Sequence, residues 1–258
     1  MPKHPSMKSP DEPTRTVRPR TFLGRRYPLA TPPPRKRIFL RQNQFFIGAC
    51  IVLLLIGYYF MATGGITDLV VSINKHRTPG RDNFFKVLTK FGEPEAYAVL
   101  VGIFCLLRFR SAIFVVLTGA AAGVVTGILK TIFGHARPLR YIFDNDEPLW
   151  YTLSRFDESF YRNSWAYTSF PSGHAASAFA VFGFLAFNAN RYKIPVAVLC
   201  FLFASLVAIS RMYLLMHFLK DVTVGATLGL LIAAAMFYLQ FKVFPDRKGL
   251  DRGLLTRF

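Results

Sequence analysis

The stretch PSGHAASAFAVFGFLAFNANRYKIPVAVLCFLFASLVAISRMYLLMHFLKD, Pro171 to Asp221, decides the fold. Two apolar runs, His174 to Phe187 and Ile194 to Ile209, are joined by a polar turn carrying Arg191 and Lys193. Away from that turn, each run meets a polar cluster: Pro-Ser-Gly-His (Pro171 to His174) before the first, and Ser210, Arg211, His217 and Asp221 after the second. An apolar hairpin with its ionisable groups gathered at one end describes two membrane helices that carry chemistry at one water interface, because charges at bilayer depth are costly and mark function.

Further apolar runs lie at Phe45 to Ala62, Ala96 to Leu107, Ala112 to Leu129 and Val222 to Phe241. With 52% hydrophobic residues and a mean hydropathy of +0.32, the chain is too apolar for an ordinary soluble domain. The expected fold is all-α, a polytopic membrane protein with a six-transmembrane-helix bundle. The second and fourth runs are short of the roughly 20 residues a crossing needs, so they are expected to borrow Phe91 to Glu95 and Asn188 to Tyr192.

Most of the 32 Lys and Arg fall in the segment up to Gln44, the Arg108 to Arg110 turn, the Asn190 to Lys193 turn and the segment from Lys242 onward. Cytoplasmic loops retain Lys and Arg, so both termini are expected in the cytoplasm and all polar clusters on the outer face. Three parts follow: residues 1-44 as a disordered basic tail drawn to anionic headgroups, 45-242 as the six-helix domain, and 243-258 as a short basic tail. The run from Phe45 to Ala62 shows no small-residue cleavage site after it and reads as an uncleaved anchor.

Cys50, Cys105 and Cys200 each lie inside an apolar run, where a thiol acts as a small hydrophobe, and they form no disulfide framework or zinc spacing. The net charge of +18 belongs mainly to the cytoplasmic segments, which disfavours nucleic acid as a partner.

A third cluster, KTIFGHARP (Lys130 to Pro138), follows the third run. Lys130 and Arg137 are about two helical turns apart and can flank one ligand if the helix continues to Pro138, which is expected to end it. Arg137 offers a planar fork for two phosphate oxygens and Lys130 a point charge; each alone reads equally as a snorkelling helix-end cation. Ser172 is placed to cap the fourth helix, whose free N–H groups at Gly173 and His174 suit an anion. His217 and Asp221 stand at i and i+4. On one helix they share a face, so Asp221 can hold the imidazole in one tautomer and leave its other nitrogen free, though a structural His–Asp pair fits the same spacing.

The pattern Lys-x6-Arg-Pro, Pro-Ser-Gly-His and Ser-Arg-x5-His-x3-Asp resembles the type 2 phosphatidic-acid phosphatase superfamily at every fixed position, over about Ala112 to Leu239. The resemblance implies a metal-independent lipid phosphatase with a phosphohistidine intermediate and no cofactor. It makes His217 the nucleophile, Asp221 its orienter and His174 the acid that protonates the departing oxygen. Lys130, Arg137, Ser172, Gly173 and Arg211 then bind phosphate. Compact members acting on lipid A are similar in size. The implied partner is a phosphorylated membrane lipid: phosphatidic acid, phosphatidylglycerol phosphate, undecaprenyl pyrophosphate or lipid A, handled on the outer face of a bacterial inner membrane. A phosphotransferase using the same site, or a non-catalytic lipid-phosphate binder, stands as the alternative. Vanadate haloperoxidases resemble the same pattern but are soluble, and the six apolar runs argue against them.

Two segments flank these clusters. Asp82 to Gly92 places Phe84, Phe85, Leu88 and Phe91 at helical spacing and is expected to lie in the outer interface. Leu139 to Phe170 is dense in aromatics and acids, suiting the headgroup layer as a cap or a substrate lid.

Overall fold

The computed structural model describes residues 21–22, 25–26, 36–156, 161, 165–190, 192–244 and 248–256. Within these the chain is helical, apart from a two-residue antiparallel pairing of Thr21–Phe22 with Arg25–Arg26. The long helices are α1 (Lys36–Thr63), α5 (Phe109–Phe133), α9 (Lys193–Tyr213) and α10 (Leu219–Val243), and the shorter apolar ones α4 (Pro94–Leu107) and α8 (Gly173–Asn188). Short helices α2 (Asp68–Lys75), α3 (Pro79–Thr89), α6 (Pro138–Asn145) and α7 (Glu147–Thr152) connect them.

Four helices, α1, the one that begins at Phe109, α9 and α10, are long and apolar enough to cross a membrane. Their outer faces are unlike those of a soluble bundle: Leu55, Ile132 and Leu231 are 63 to 67% exposed. Apolar surface of that extent belongs against lipid. At 14 and 16 residues, α4 and α8 rise about 21 and 24 Å, less than a hydrocarbon core of about 30 Å. Of the described residues expected to lengthen them, only Pro94, Glu95 and Asn188 are α-helical: a 3-10 turn, Lys90–Gly92, precedes α4, and α8 stops at Asn188.

The centre of the bundle is α8, lined on all sides by the other long helices, with Phe179, Val181 and Phe184 buried. Its contact with α10 depends on two glycines. A Cβ at Gly225 would sit 2.6 Å from the Ser172 carbonyl oxygen, and one at Gly229 only 2.4 Å from that of Ala176. Both distances are too short for any side chain, so the two backbones touch.

Three boundaries differ from those predicted. The first helix begins at Lys36, so Lys36 to Gln44 are helical and not part of a disordered tail; apolar Phe39 and Phe46 are buried on its inner face, which carries the helix back past Phe45. Most of the remaining tail lies outside the described residues. Pro138 starts a helix instead of ending one: α5 stops at Phe133 with left-handed Gly134 as its cap, and Pro138, lacking an N–H, opens α6. The C-terminal segment is tied down. Its 3-10 turns, Lys248–Asp251 and Leu254–Thr256, return to the Arg108–Arg110 turn, where Asp251 accepts hydrogen bonds from Arg108 and Arg110, and Phe109 N–H donates to the Arg252 carbonyl at 3.0 Å.

The segment predicted as an interfacial helix is α3 and its 3-10 extension, packed on α9. Phe85 stacks on Tyr213 with centroids 4.2 Å apart, and Phe84 and Val87 face outward. The aromatic loop is bound to this side too. Asn74 of α2 and Ser154 exchange two hydrogen bonds of 2.8 and 2.9 Å, and Arg77 lies 3.9 Å from the Phe156 ring centroid. Phe143 packs at 5.4 Å from both Trp150 and Trp165, making a cap over α6 and α7. Asp157, Glu158 and Phe160 lie outside the described residues.

Candidate active site

The end of α5, the starts of α8 and α10 and the end of α9 meet at one end of the bundle, which brings together all eight residues singled out from the sequence. His217 does not ride on the same helix as Asp221. It is the residue before the cap of α10, in a turn where Met216 and His217 N–H both reach the Arg211 carbonyl and Leu215 takes a left-handed φ of 56°. Asp221, in the first turn of α10, accepts from Phe218 N–H at 2.9 Å through Oδ2. An acceptor is favoured here because the first-turn donors have no helical partner. The same oxygen lies 3.5 Å from His217 Nδ1, so the carboxylate caps the helix and orients the imidazole at once.

Both groups are sealed from water, His217 at 1% exposed and Asp221 at 0%. Ser169, which the sequence motifs do not contain, completes the arrangement: its hydroxyl donates to Asp221 Oδ2 at 2.5 Å, and its N–H to the His135 carbonyl at 2.9 Å. His135 thus acts through its backbone, its ring lying between Phe133 and Phe170. Burial holds His217 well below the ordinary imidazole range, against the opposing pull of Asp221, and the cations Arg211 and Arg137 add to the depression. The ring is neutral at physiological pH, with Nδ1–H toward Asp221 and a lone pair on Nε2.

Three cations surround it. Lys130, Arg137 and Arg211 are close enough to repel one another electrostatically, and no carboxylate forms an ion pair with them among the described residues. Arg211 is 7% exposed, and among the described residues its side chain makes one hydrogen bond, from Nη1 to Thr89 Oγ1 at 2.6 Å. Arg137 leans on Met216 Sδ at 3.6 Å. The Nε–H of both guanidinium groups is buried without an acceptor among the described residues. Buried donors are almost always paired, and a pair of guanidinium donors left open suits an anion. Lys130 reaches over Gly173, whose position would bring a Cβ to 3.8 Å from Nζ. Ser172 is fully buried and caps α8, accepting from Ala175 N–H at 3.4 Å, while its own N–H donates to the Asp221 carbonyl at 2.9 Å.

His174 stands opposite, on the first turn of α8, with Nε2 3.5 Å from Glu93 Oε1. Thr89 and Glu93, on the α3 to α4 junction, carry no motif signature, and neither does Ser169; only the long-range packing of these segments against α8, α9 and α10 reveals them. Beside the site, a cavity of about 590 Å³ opens between the end of α1, α2 and the start of α10, walled by Phe60, Ile66, Leu69, Phe218 and Leu219, with Lys220 among its lining residues.

A membrane bundle that gathers three cations, buried or half-buried and without an ion-pair partner among the described residues, near two imidazoles has the make-up of a phosphate-handling membrane protein. The family model described as PAP2 superfamily matches residues 111–245, and the chain belongs to that superfamily. Among relatives, it is 39% identical over 71 residues to phosphatidylglycerophosphatase B of Bacillus subtilis (strain 168), a match spanning 25% of this chain and 35% of that protein. The crystal structure of Aquifex aeolicus LpxE superposes with a TM-score of 0.53 at 26% identity, covering 66% of this chain and 92% of the other. A transmembrane PAP2-type phosphatidylglycerolphosphate phosphatase from Bacillus subtilis also gives 0.53, at 22% identity, covering 79% and 99%, and shares the fold.

Proposed function

We propose that the protein is a metal-independent phosphatase of membrane lipid phosphates, acting through a phosphohistidine on the outer face of a bacterial inner membrane. The observation that carries this reading is the pair of buried, acceptorless guanidinium Nε–H donors converging with Lys130 on a neutral imidazole that Asp221 orients. Binding a phosphate requires the cations; it does not require the oriented imidazole or a second one.

In the first step the His217 Nε2 lone pair forms a bond to phosphorus, the bond from phosphorus to the lipid oxygen breaks, and His174 gives that oxygen a proton. In the second step a water loses its proton to His174 and attacks phosphorus, the N–P bond breaks, and phosphate leaves with His217 neutral again. Lys130, Arg137 and Arg211 stabilise the charge on the equatorial oxygens, aided by the free N–H groups at Gly173 and His174. Three fixed cations supply the electrostatic stabilisation that a divalent metal supplies in other phosphatases.

The apolar cavity beside His217 suits a lipid tail whose phosphate reaches the site, with α4 and α8 completing a six-crossing bundle. Lys36, Arg108, Arg110, Lys193 and Lys242 gather at the opposite end, which by the positive-inside rule is cytoplasmic. The test is phosphate release by detergent-purified protein from phosphatidic acid, phosphatidylglycerol phosphate, undecaprenyl pyrophosphate and lipid A, with EDTA present. EDTA-resistant release from one of them, lost in His217→Ala, supports the reading. Absence of release from all four, or release abolished by EDTA, overturns it, and phosphate recovered on a second lipid makes the protein a transferase.

A further inference from the structure

The α3 to α4 junction adds a fourth wall to the site, and we propose that Glu93 is a positioning residue for the acid step, holding the His174 ring by Nε2 so that Nδ1 delivers the proton to the departing lipid oxygen. This rests on the phosphatase reading above.

The wall is built to bring this carboxylate in. Gly92, just before it, is pressed between α8 and α9: a Cβ there would fall 2.8 Å from Val207 Cγ1 and 3.2 Å from His174 Cδ2. Only a glycine lets the chain run this close to the imidazole. A relay beneath fixes the approach, Tyr97 OH donating to Ser177 Oγ at 3.0 Å and Ser177 Oγ donating to the Gly92 carbonyl at 3.0 Å. Ser177 lies one turn along α8 from His174, so α4 and α8 are joined directly below the histidine. Thr89, earlier in the same wall, holds Arg211. Glu93 therefore sits at the end of a segment in which Thr89 holds Arg211 and Gly92 meets Ser177 and His174, while Phe91 packs on Phe203.

The charges explain why a carboxylate is wanted. The His174 ring faces Lys130 from α5, Arg211 from α9 and Glu93 from the start of α4, and Lys90 faces Glu93 from behind. Burial and two nearby cations make a proton on the ring costly, while an acid catalyst must carry one when the lipid oxygen leaves; one carboxylate on the third side offsets part of that cost. The hydrogen bond to His174 holds the Glu93 carboxyl below the usual glutamate range, against partial burial, so it is ionised across the neutral range. With Nε2 engaged at 3.5 Å, Nδ1 is left for the substrate.

In this step N–P forms, P–O breaks, and the proton passes from His174 Nδ1 to the departing oxygen. Glu93 neither gives nor takes a proton overall.

The experiment measures kcat/KM against pH for the wild type, Glu93→Gln, Glu93→Ala and His174→Ala, in detergent, on the best-cleaved lipid of the panel and on p-nitrophenyl phosphate. This ratio reports the first phosphoryl transfer, where the acid acts. Glu93→Gln keeps an acceptor but loses the charge. Its alkaline limb is expected to move to lower pH by about one unit, with a loss of about tenfold or more at neutral pH on the lipid. On p-nitrophenyl phosphate, whose leaving oxygen needs no proton, both Glu93 variants and His174→Ala should lose much less. A uniform loss with the limb unmoved, or equal losses on both substrates, overturns the positioning role. If His174→Ala itself keeps wild-type turnover of the lipid, or the wild type cleaves neither substrate, the phosphatase reading has failed instead.

Discussion

The two ends of the bundle handle buried arginine in opposite ways. At the far end, Arg110 is 1% exposed and fully spoken for: Nε and Nη2 reach Asp251 at 3.0 and 3.1 Å, and Nη1 reaches the Gln240 and Phe244 carbonyls at 2.8 and 2.6 Å. At the site end, Arg211 is 7% exposed and Arg137 is half-buried, yet among the described residues each keeps a buried Nε–H without an acceptor and no carboxylate pairs with either. Burying a guanidinium is costly unless it is paired. Arg110 meets that cost within the fold and serves as a clasp between α5, α10 and the C-terminal turns. Arg137 and Arg211 leave it unmet within the fold, so on the proposed reading their burial weakens the empty protein and strengthens the phosphate complex.

Substitutions at the two ends should therefore separate activity from stability. The largest effect is expected at the centre of the site: His217→Ala should lower phosphate release by about 10,000-fold or more while the purified protein keeps its melting temperature, checked by release assay and thermal unfolding in detergent. Arg211→Ala should cost about 100- to 1,000-fold in kcat/KM, with thermal stability unchanged or raised because an unpaired charge has been removed. Arg110→Ala or Asp251→Asn should do the reverse, destabilising by about 3 to 5 kcal/mol while folded molecules keep their turnover. If Arg211→Ala destabilised as Arg110→Ala does, the contrast between the ends would be lost.

A finer measurement uses inorganic phosphate alone. At 100 times its dissociation constant it should stabilise the wild type by about 2.7 kcal/mol and leave Arg211→Ala close to its ligand-free melting point. Ser169→Ala, removing one hydrogen bond to the buried carboxylate of Asp221, should cost about tenfold in kcat/KM. The smallest change concerns acid: an ordinary imidazole takes up a proton near pH 6.5, and His217 resists it because burial favours the neutral ring. The acidic limb of kcat/KM attributable to His217 should therefore lie clearly below pH 6.5. A half-loss assigned to His217 at 6.5 itself, by its absence in a His217 variant's residual rate, would mean that the ring is wetter than its surroundings imply.

Much of this contrast could be read from the chain before any coordinates. Lys130, Arg137, Arg211, the Pro171 to His174 turn, His217 and Asp221 stand at fixed spacings beside apolar runs, and both signals are local in sequence. Arg110 gave no such signal, because its partner Asp251 lies far along the chain and an exposed turn between two crossings accounts for the arginine equally well. The same reason hid Glu93, Thr89 and Ser169. Each is a common polar residue in a connecting segment, and each gains its role only when α4, α3 or the loop before α8 is pressed onto the site. Pro138 is ambiguous in sequence because its ring is compatible with the residue after a helix and with the first residue of the next. The early start of α1 was missed because Lys36, Arg37 and Arg41 interrupt the apolar run, although helical backbone tolerates them on the outward side.

The contact between Gly225, Gly229 and the α8 backbone has a consequence for how this scaffold can change. His174 and His217 sit at the mouth of two helices packed main chain to main chain, so the span between the two imidazoles is set by backbone contact more than by the choice of side chains around it. The walls of the cavity proposed for a lipid tail, from α1 and α2, and the aromatic loop attach to this jaw from outside. A designer could replace those walls to admit a different tail or headgroup and leave the bite of the jaw unaltered, whereas an alanine at Gly229 would prise it open for every substrate alike.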